Sequence, residues 1–241
     1  MLEKIDLKNV LVLDIETVPQ YPSFEFLPER WKELWTKKSQ YIIKNKDVET
    51  PANIYSRAGI YSEFGKIIVI SAGCFVRNED GYKFRIKSYY GDNESVILTE
   101  FNSMLDEMYS GEDKTLAAHN GKEFDYPYIA RRCLVNGIRM PWLLNNHGKK
   151  PWEVNLLDTM ELWKCGDYKS NSSLDLLSAV FHIDSPKDDI SGEDIWRVYW
   201  EEKNIERIKT YCQKDVITVA QLLLKYKAFP LLDTKDIIYT N

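Results

Sequence analysis

The sequence predicts an α/β fold: a mixed sheet assembled first, with helices laid against it afterwards. Three observations carry that expectation. A continuous apolar, β-branched run, Val10-Leu11-Val12-Leu13, reads as a buried strand. Two further stretches, 66–76 and 82–90, read as strands joined at Asn78-Glu79-Asp80-Gly81, and Asp-Gly is a strong hairpin signal. The last third, 155–241, has mainly helical periodicity, so helices follow strands along the chain.

Each element has its own justification. The first strand is expected to stop at Asp14, the first charge after the apolar run. Pro19, Pro22 and Pro28 punctuate the next stretch of chain, while 29–43 has helical character with Trp31 and Trp35 one turn apart. Residues of about 20–62 therefore read as a helical insertion after the first strand. The stretch 95–109 carries Val96, Phe101, Leu105 and Met108 at helical spacing. A short strand at 115–118 leads into His119-Asn120-Gly121, and a helix follows over about 126–136, with Pro127 in its first turn and Gly137 behind it. Further helical pieces are expected near 158–164, 172–181, 192–202 and 204–227. With no repeat and no Gly/Ser linker, 1–241 reads as a single domain.

Composition narrows the function classes. The 241 residues hold 32 Lys and Arg against 37 Asp and Glu, a formal charge of −5, and 44% of them are hydrophobic, which excludes bulk disorder. No apolar run approaches the roughly 18 residues that span a membrane. Met1-Leu2-Glu3-Lys4-Ile5-Asp6 lacks the apolar segment of a secretory leader. Cys74, Cys133, Cys165 and Cys212 are scattered without a CxxC pair, so reduced thiols and a cytoplasmic location are expected. The isolated His119, His147 and His182 make no zinc-type cluster. An acidic chain also argues against a broad basic face for duplex nucleic acid.

The chemistry is carried by acids in costly places. Asp14 and Glu16 flank Ile15 at the end of a buried strand, and the strand period of two sends both to one face. Two carboxylates so placed repel unless a proton or cation is shared; alone, such a pair more often points into solvent. On the C-terminal helix, Ile205, Ile208, Cys212, Val216, Val219 and Leu223 form an apolar stripe, flanked on one face by Tyr211 and Asp215. An acid beside a buried stripe needs a partner. Asp125 stands at a predicted helix start, where either N-capping or a place in the same cleft as Asp14 accounts for it. Glu123, two residues earlier, is expected to lie outside that cleft.

Together these segments resemble the DnaQ-like 3′–5′ exonucleases of RNase H-like fold: an Asp-x-Glu after the first strand, an Asp at a helix start, and a final Asp on a C-terminal helix. Asp14, Glu16, Asp125 and Asp215 fill those places, and Tyr211-Cys212-Gln213-Lys214-Asp215 resembles the Tyr-x-x-x-Asp of the DEDDy subclass. The 27–35 insertion, His119-Asn120-Gly121 with Phe124-Asp125, and Ser185-Pro186-Lys187-Asp188-Asp189 with Gly192 are similar to free-standing exonucleases related to the family B DNA polymerase proofreading domain. The likeness spans roughly 8–228. It implies an RNase H-like mixed sheet flanked by helices, and phosphodiester hydrolysis from the 3′ end of single-stranded nucleic acid, DNA favoured over RNA, with no membrane partner.

The resemblance further implies two Mg2+ or Mn2+ ions, which suit hard carboxylate oxygens. Asp14 would bridge them, Glu16 and Asp215 would complete one site, and Asp125 would hold the second ion through water. Tyr211 would orient the attacking water, being a poor base with an ordinary pKa near ~10. Asn120, Phe124 and Lys187 are candidate substrate contacts, with Lys122, Arg131, Arg132, Lys149, Lys150, Lys164 and Lys169 as further candidates for the phosphate backbone. Tyr126 and Tyr128 are candidate base-stacking groups. Trp31, Trp35, Trp196, Tyr199 and Trp200 read as packing, Asp158, Asp175 and Asp188 as caps or surface acids, and His119 as structural. An exoribonuclease of the same chemistry and a non-catalytic nucleic-acid-binding module are the alternatives. A haloacid-dehalogenase-type phosphatase fits less well, because its second acid would be Asp where Glu16 stands.

Overall fold

The computed structural model describes residue 3 and residues 5–79, 81–167, 169–183 and 190–240. Among them the strands β1 (Val10–Pro19), β2 (Gly65–Asn78), β3 (Gly81–Tyr90), β4 (Thr115–Ala118), β5 (Leu156–Asp158) and β6 (Ile237–Thr240) form one mixed sheet. Its order is β5-β4-β1-β2-β3-β6. β1 pairs antiparallel with β2 and parallel with β4, and β3 pairs antiparallel with β2 and parallel with β6. The helices are α1 (Glu29–Ser39), α2 (Glu94–Met108), α3 (Asp125–Val135), α4 (Thr159–Lys164), α5 (Leu174–Val180), α6 (Ile195–Trp200) and α7 (Ile205–Tyr226). None of the described helices is long and apolar enough to cross a membrane.

β1 is central, and its alternation sets the two layers. Leu11, Leu13 and Ile15 face a core shared with Ile97, Leu98, Phe101 and Leu105 of α2 and Ile129 of α3. Val10 and Val12 face the other way, against Val216, Val219 and Leu223 of α7. The strand does not stop at Asp14 as expected. It continues to Pro19, because Ile15 and Val18 keep the apolar alternation and β2 goes on pairing with it. Opposite Glu16 the register slips: Glu16 pairs with Val69 but Thr17 with Ile67. The surplus residue, Ile68, makes a β-bulge in β2. Ile68 and Val69 consequently both pack on the α7 side, while Ile67 and Ile70 face the opposite core.

Several boundaries differ from the sequence reading for identifiable reasons. α1 ends at Ser39, and Ile42 and Ile43 beyond it pack into the insertion. In α2, Val96 and Met108 point outward; Ile97, Leu98, Phe101 and Leu105 are the buried row. β5 and β6, of three and four residues, lie inside the stretch read as mainly helical. The insertion has its own aromatic core of Trp35, Tyr55 and Phe64, and Trp35 donates its indole N–H to Pro51 O at 2.7 Å. It is tied to the sheet at Gly59, whose carbonyl accepts from Thr17 Oγ1 at 2.9 Å and Tyr128 Oη at 2.7 Å. A Cβ at Gly65 would collide with both the Tyr128 hydroxyl and the Gly59 carbonyl, so this junction requires glycine there.

One buried ion pair joins four segments. Arg132 of α3 is 3% exposed and grips Glu94 of α2 with two bonds, Nε to Oε1 at 2.9 Å and Nη2 to Oε2 at 2.6 Å. Its third bond goes to Ser62 O at 2.8 Å, while Glu94 also accepts Ile67 N–H at 2.7 Å. Arg132 is therefore structural, correcting its candidacy as a phosphate contact: a buried guanidinium so paired offers nothing to a ligand. Replacing it with Met leaves Glu94 buried without its counter-charge. Urea denaturation of Arg132→Met is expected to show a loss of about 3–5 kcal/mol; a loss below about 1 kcal/mol would contradict this role.

Candidate active site

Asp14 and Glu16 extend the Val10–Val12 row of β1, so their side chains emerge on the α7 side where the apolar packing stops. Glu16 is buried, and Asp14 is half-buried, with its Oδ2 atom buried and without a hydrogen-bond partner. α7 starts at an Asn204 cap whose side chain accepts Arg207 N–H, and lays Ile208, Cys212 and Val216 along the sheet. Cys212 meets Asp14 through its thiol, which donates to the Asp14 backbone carbonyl at 3.4 Å. Beside that stripe, Tyr211 and Asp215 sit one turn apart on α7, close enough for the Asp215 carboxylate to raise the Tyr211 hydroxyl pKa. Cys212 was visible in the sequence only as one position of an apolar stripe; nothing marked it as a donor.

Asp125 is buried at the first residue of α3, and it does not cap that helix with its side chain. Its Oδ1 instead accepts the backbone N–H of Ile15 at 3.1 Å, bridging from α3 to the point on β1 between Asp14 and Glu16. Of its two sequence readings, the shared cleft is the one the geometry favours. The turn before it is organised by Asp158. That buried carboxylate accepts Asn120 N–H at 2.9 Å and Lys122 N–H at 3.1 Å while capping α4 through Met160 N–H at 3.0 Å. Asp158 is thus a cap, as expected, but a buried one holding two segments. Asn120 has φ 58°, a left-handed conformation Asn tolerates, and its buried side-chain oxygen has no partner. His119 is fixed by Thr159 Oγ1 and Ser172 O, each at 2.9 Å, in keeping with its structural reading.

Electrostatics show how tightly these acids are grouped. Burial pushes the Asp14 carboxyl well above the ordinary range, and repulsion from Asp125, Glu16 and Asp215 adds to it. Glu16 is raised by burial and then by Asp215 and Asp125. Asp125 is pushed up to about 7 by burial, although backbone N–H donors act against the shift. The Cys212 thiol is raised by burial and by both acids of β1, so it remains a neutral S–H donor. Tyr211 is raised by burial and by Asp215, Glu16 and Asp14, which keeps its hydroxyl protonated. Donor atoms of Asp14, Glu16 and Cys212 lie within 4.8 Å of one another. A buried, unpartnered carboxylate oxygen among mutually repelling acids fits a hard divalent cation better than any protein donor nearby.

Beside Glu16 lies a cavity of ≈ 560 Å³, lined by Ile15, Glu16 and Thr17 of β1, Ser56, Arg57 and Ile60 of the insertion, Phe124, and Trp196 of α6. Phe124 sits between the two roles weighed for it: its ring packs on Tyr128 at 5.4 Å and also walls the cavity. Tyr126 and Tyr128 are no stacking platform. Both are buried, bracing α3 through bonds to Leu157 O and Gly59 O, each at 2.7 Å. Trp196, read as packing, faces this cavity, held by its indole N–H to Pro22 O at 2.9 Å. No local spacing marks Arg57 or Trp196 as neighbours of Glu16; only the fold brings the insertion and α6 there. Glu123 is exposed, and Lys122 pairs with Glu161 at 2.6 Å. Lys187, with Ser185, Pro186, Asp188 and Asp189, lies outside the described residues.

Residues 61–235 match a family model described as a predicted 3′–5′ exonuclease related to the exonuclease domain of PolB. Among solved structures, the family B DNA polymerase from the hyperthermophilic archaeon Pyrobaculum calidifontis is similar in fold, with a TM-score of 0.52 and 15% identity. The match covers 90% of this chain and 24% of that polymerase, so the chain spans only a part of it. The mixed six-stranded sheet with flanking helices is thus similar in fold to a PolB exonuclease domain, an RNase H-like arrangement. No curated protein matches the chain in sequence.

The raised carboxyls have a consequence for stability without metal. A carboxyl whose folded pKa lies above its unfolded value binds more protons when folded, so its contribution is lost as pH rises, here between about 4 and 7 for Asp125. In a metal-free chelating buffer, Asp125→Asn keeps an acceptor for Ile15 N–H and removes the charge. Thermal melting should show the variant gaining on wild type between pH 5 and pH 7.5 by about 2–4 °C or more. An unchanged difference across that range would contradict the grouping of these acids.

Proposed function

Because the chain belongs to the family of predicted 3′–5′ exonucleases related to the exonuclease domain of PolB, we propose that it is a metal-dependent exonuclease that shortens single-stranded DNA from the 3′ end. One observation carries this reading: acids from three distant segments, Asp14 and Glu16, Asp125, and Asp215, are mutually repelling in one buried corner, with Asp14 Oδ2 lacking a protein partner. Mg2+ or Mn2+ fits that donor set. Asp14 would be shared between two ions, Glu16 and Asp215 would complete one site, and Asp125 the other. Such ions, when bound, stabilise the attacking and leaving oxygens of an in-line displacement at phosphorus.

The remaining work falls to the chain. Burial and the neighbouring acids keep Tyr211 protonated, and its oxygen lone pairs can accept an O–H of the attacking water. That makes Tyr211 an orienting group rather than a base. Cys212, donating its S–H to the Asp14 carbonyl, steadies this part of β1. Phe124 supplies an apolar wall for the terminal base beside Glu16, and Asn120, with its unpartnered side-chain oxygen, offers a polar contact to the terminal nucleotide. A single strand rather than a duplex suits a chain of formal charge −5, which lacks the net positive charge of a general duplex binder.

A 5′-labelled oligodeoxynucleotide incubated with Mg2+ or Mn2+ should yield a ladder shortening from the 3′ end. The double variant Asp14→Asn/Glu16→Gln should lose at least about 1,000-fold in rate. Tyr211→Phe should lose roughly 10- to 100-fold, less than the upper range for removing a general base. Internal cuts, or removal of the 5′ label, would defeat the assignment of polarity. Faster digestion of the matching RNA would move the substrate to RNA. In parallel, Mn2+ at about 100 times its Kd should stabilise wild type by about 2.7 kcal/mol in thermal melts. Asp14→Asn should abolish that gain; a gain that persists would place the ion elsewhere.

A further inference from the structure

A second cavity, of ≈ 490 Å³, opens at the far end of α6 and is lined by Lys66, Asp92, Tyr199, Trp200, Lys203 and Ile205. Its chemistry is unlike that of the acidic corner. Two ammonium groups gather on one indole: Lys66 Nζ lies 5.4 Å and Lys203 Nζ 4.9 Å from the centre of the Trp200 ring. Each contact is favourable alone, since the ring face attracts a cation. Two cations on one ring also repel: burial lowers the Lys66 pKa, Asp92 and Glu94 act against that, and Lys203 adds a smaller lowering. Asp92 is the acid that lines the pocket with them. Its carboxylate is taken by the Tyr199 hydroxyl at 2.7 Å, and Lys66 reaches only its carbonyl, at 3.3 Å, and Tyr199 Oη, at 2.9 Å. Those two bonds leave the third donor of the Lys66 ammonium uncommitted among the described residues.

The position of this pocket gives it a use. Glu16 and Val18 share a face of β1, and Val18 pairs with Lys66, so the pocket lies about two strand residues, roughly 7 Å, along β1 from the acidic corner. α6 spans the same interval: Trp196 walls the cavity beside Glu16, and Trp200, one turn on, walls the lysine pocket. Both indoles are fixed by N–H bonds to carbonyls of the segment leaving β1, Trp196 to Pro22 O and Trp200 to Pro19 O at 3.2 Å. Rigid aromatic faces alternating with cations are what a single strand requires of a groove, stacking for bases and positive charge for phosphates.

We propose that Lys66, Lys203 and Trp200 form a phosphate-binding station that holds the backbone of the substrate strand beyond the acidic corner. The proposal rests on the exonuclease reading for the nature of the strand. It uses no part of the catalytic set.

The test is a binding measurement on the full chain carrying Asp14→Asn, so cleavage plays no part and a failed digestion assay remains a separate outcome. Fluorescence anisotropy with 5′-fluorescein (dT)2 and (dT)8 compares this protein with one also carrying Lys203→Asn. Lys203 is exposed and has φ 52°, a conformation Asn accepts, so the fold should survive. Loss of one phosphate contact should weaken (dT)8 by on the order of 5-fold and reduce the salt slope of log K by about 0.7. Binding of (dT)2, whose few phosphates barely span the interval between the acidic corner and the pocket, should weaken less than that of (dT)8. An unchanged (dT)8 slope, or equal weakening of both oligonucleotides, overturns the proposal. A third arm uses thymidine 5′-monophosphate as competitor. If its binding falls with Lys203→Asn as much as that of (dT)8, the pocket takes a free nucleotide phosphate and the strand assignment is overturned.

Discussion

Four carboxylates held in one corner repel one another, and much of the surrounding architecture serves to keep them there. Asp14 and Glu16 cannot withdraw, because β1 is the central strand and the residues interleaved with them are buried in the core on the opposite face. Asp125 is pinned to β1 by the Ile15 amide, and Asp215 is placed by a helix of 22 residues whose apolar stripe covers the same strand. Burial first, and repulsion after it, are therefore carried as raised proton affinity instead of being relaxed by movement. A protein that resists expelling its own charges is ready for a ligand of opposite charge.

The supports lie one layer back from the acids. Asp158 ties the turn before Asp125 to α4, and Arg132 with Glu94 ties α3 to α2, β2 and the insertion. None of these groups needs to touch a substrate. Their effect is on position: Asp125 is held against the Ile15 amide of β1, while Phe124, its neighbour in sequence, walls the cavity beside Glu16. The insertion, anchored through Gly59, supplies a further wall with Ser56, Arg57 and Ile60.

Much of this was legible from the chain, and the failures have physical causes. The apolar run before Asp14, the Asp-Gly hairpin and the stripe of α7 were readable because each is a local pattern with its own period. The acids of the corner were readable as costly placements in order along the chain. Arg132 was misjudged because its neighbour Arg131 made a cationic pair, whereas the partner that defines it, Glu94, lies 38 residues away. Tyr126 and Tyr128 looked like stacking groups for the same reason: their bonds go to Leu157 and Gly59, distant carbonyls with no sequence signature. Trp196 reversed the error, appearing to be packing until the insertion was brought opposite it. β5 and β6 are too short to show a period of two.

The bulge at Ile68 bears on how reliably the molecule assembles. A strand that slips by one residue exchanges its two faces, and for β1 that would drive Asp14 and Glu16 into the apolar core beneath α2 while turning Ile15 outward. The extra residue in β2 breaks the uniformity that would allow such a slip, since only one alignment places two consecutive side chains, Ile68 and Val69, on the α7 side. The bulge thus acts as an index mark for strand pairing. Mispaired chains are penalised most by the same two acids on which the activity is proposed to depend, so correct assembly and a competent site are selected together as the sheet forms.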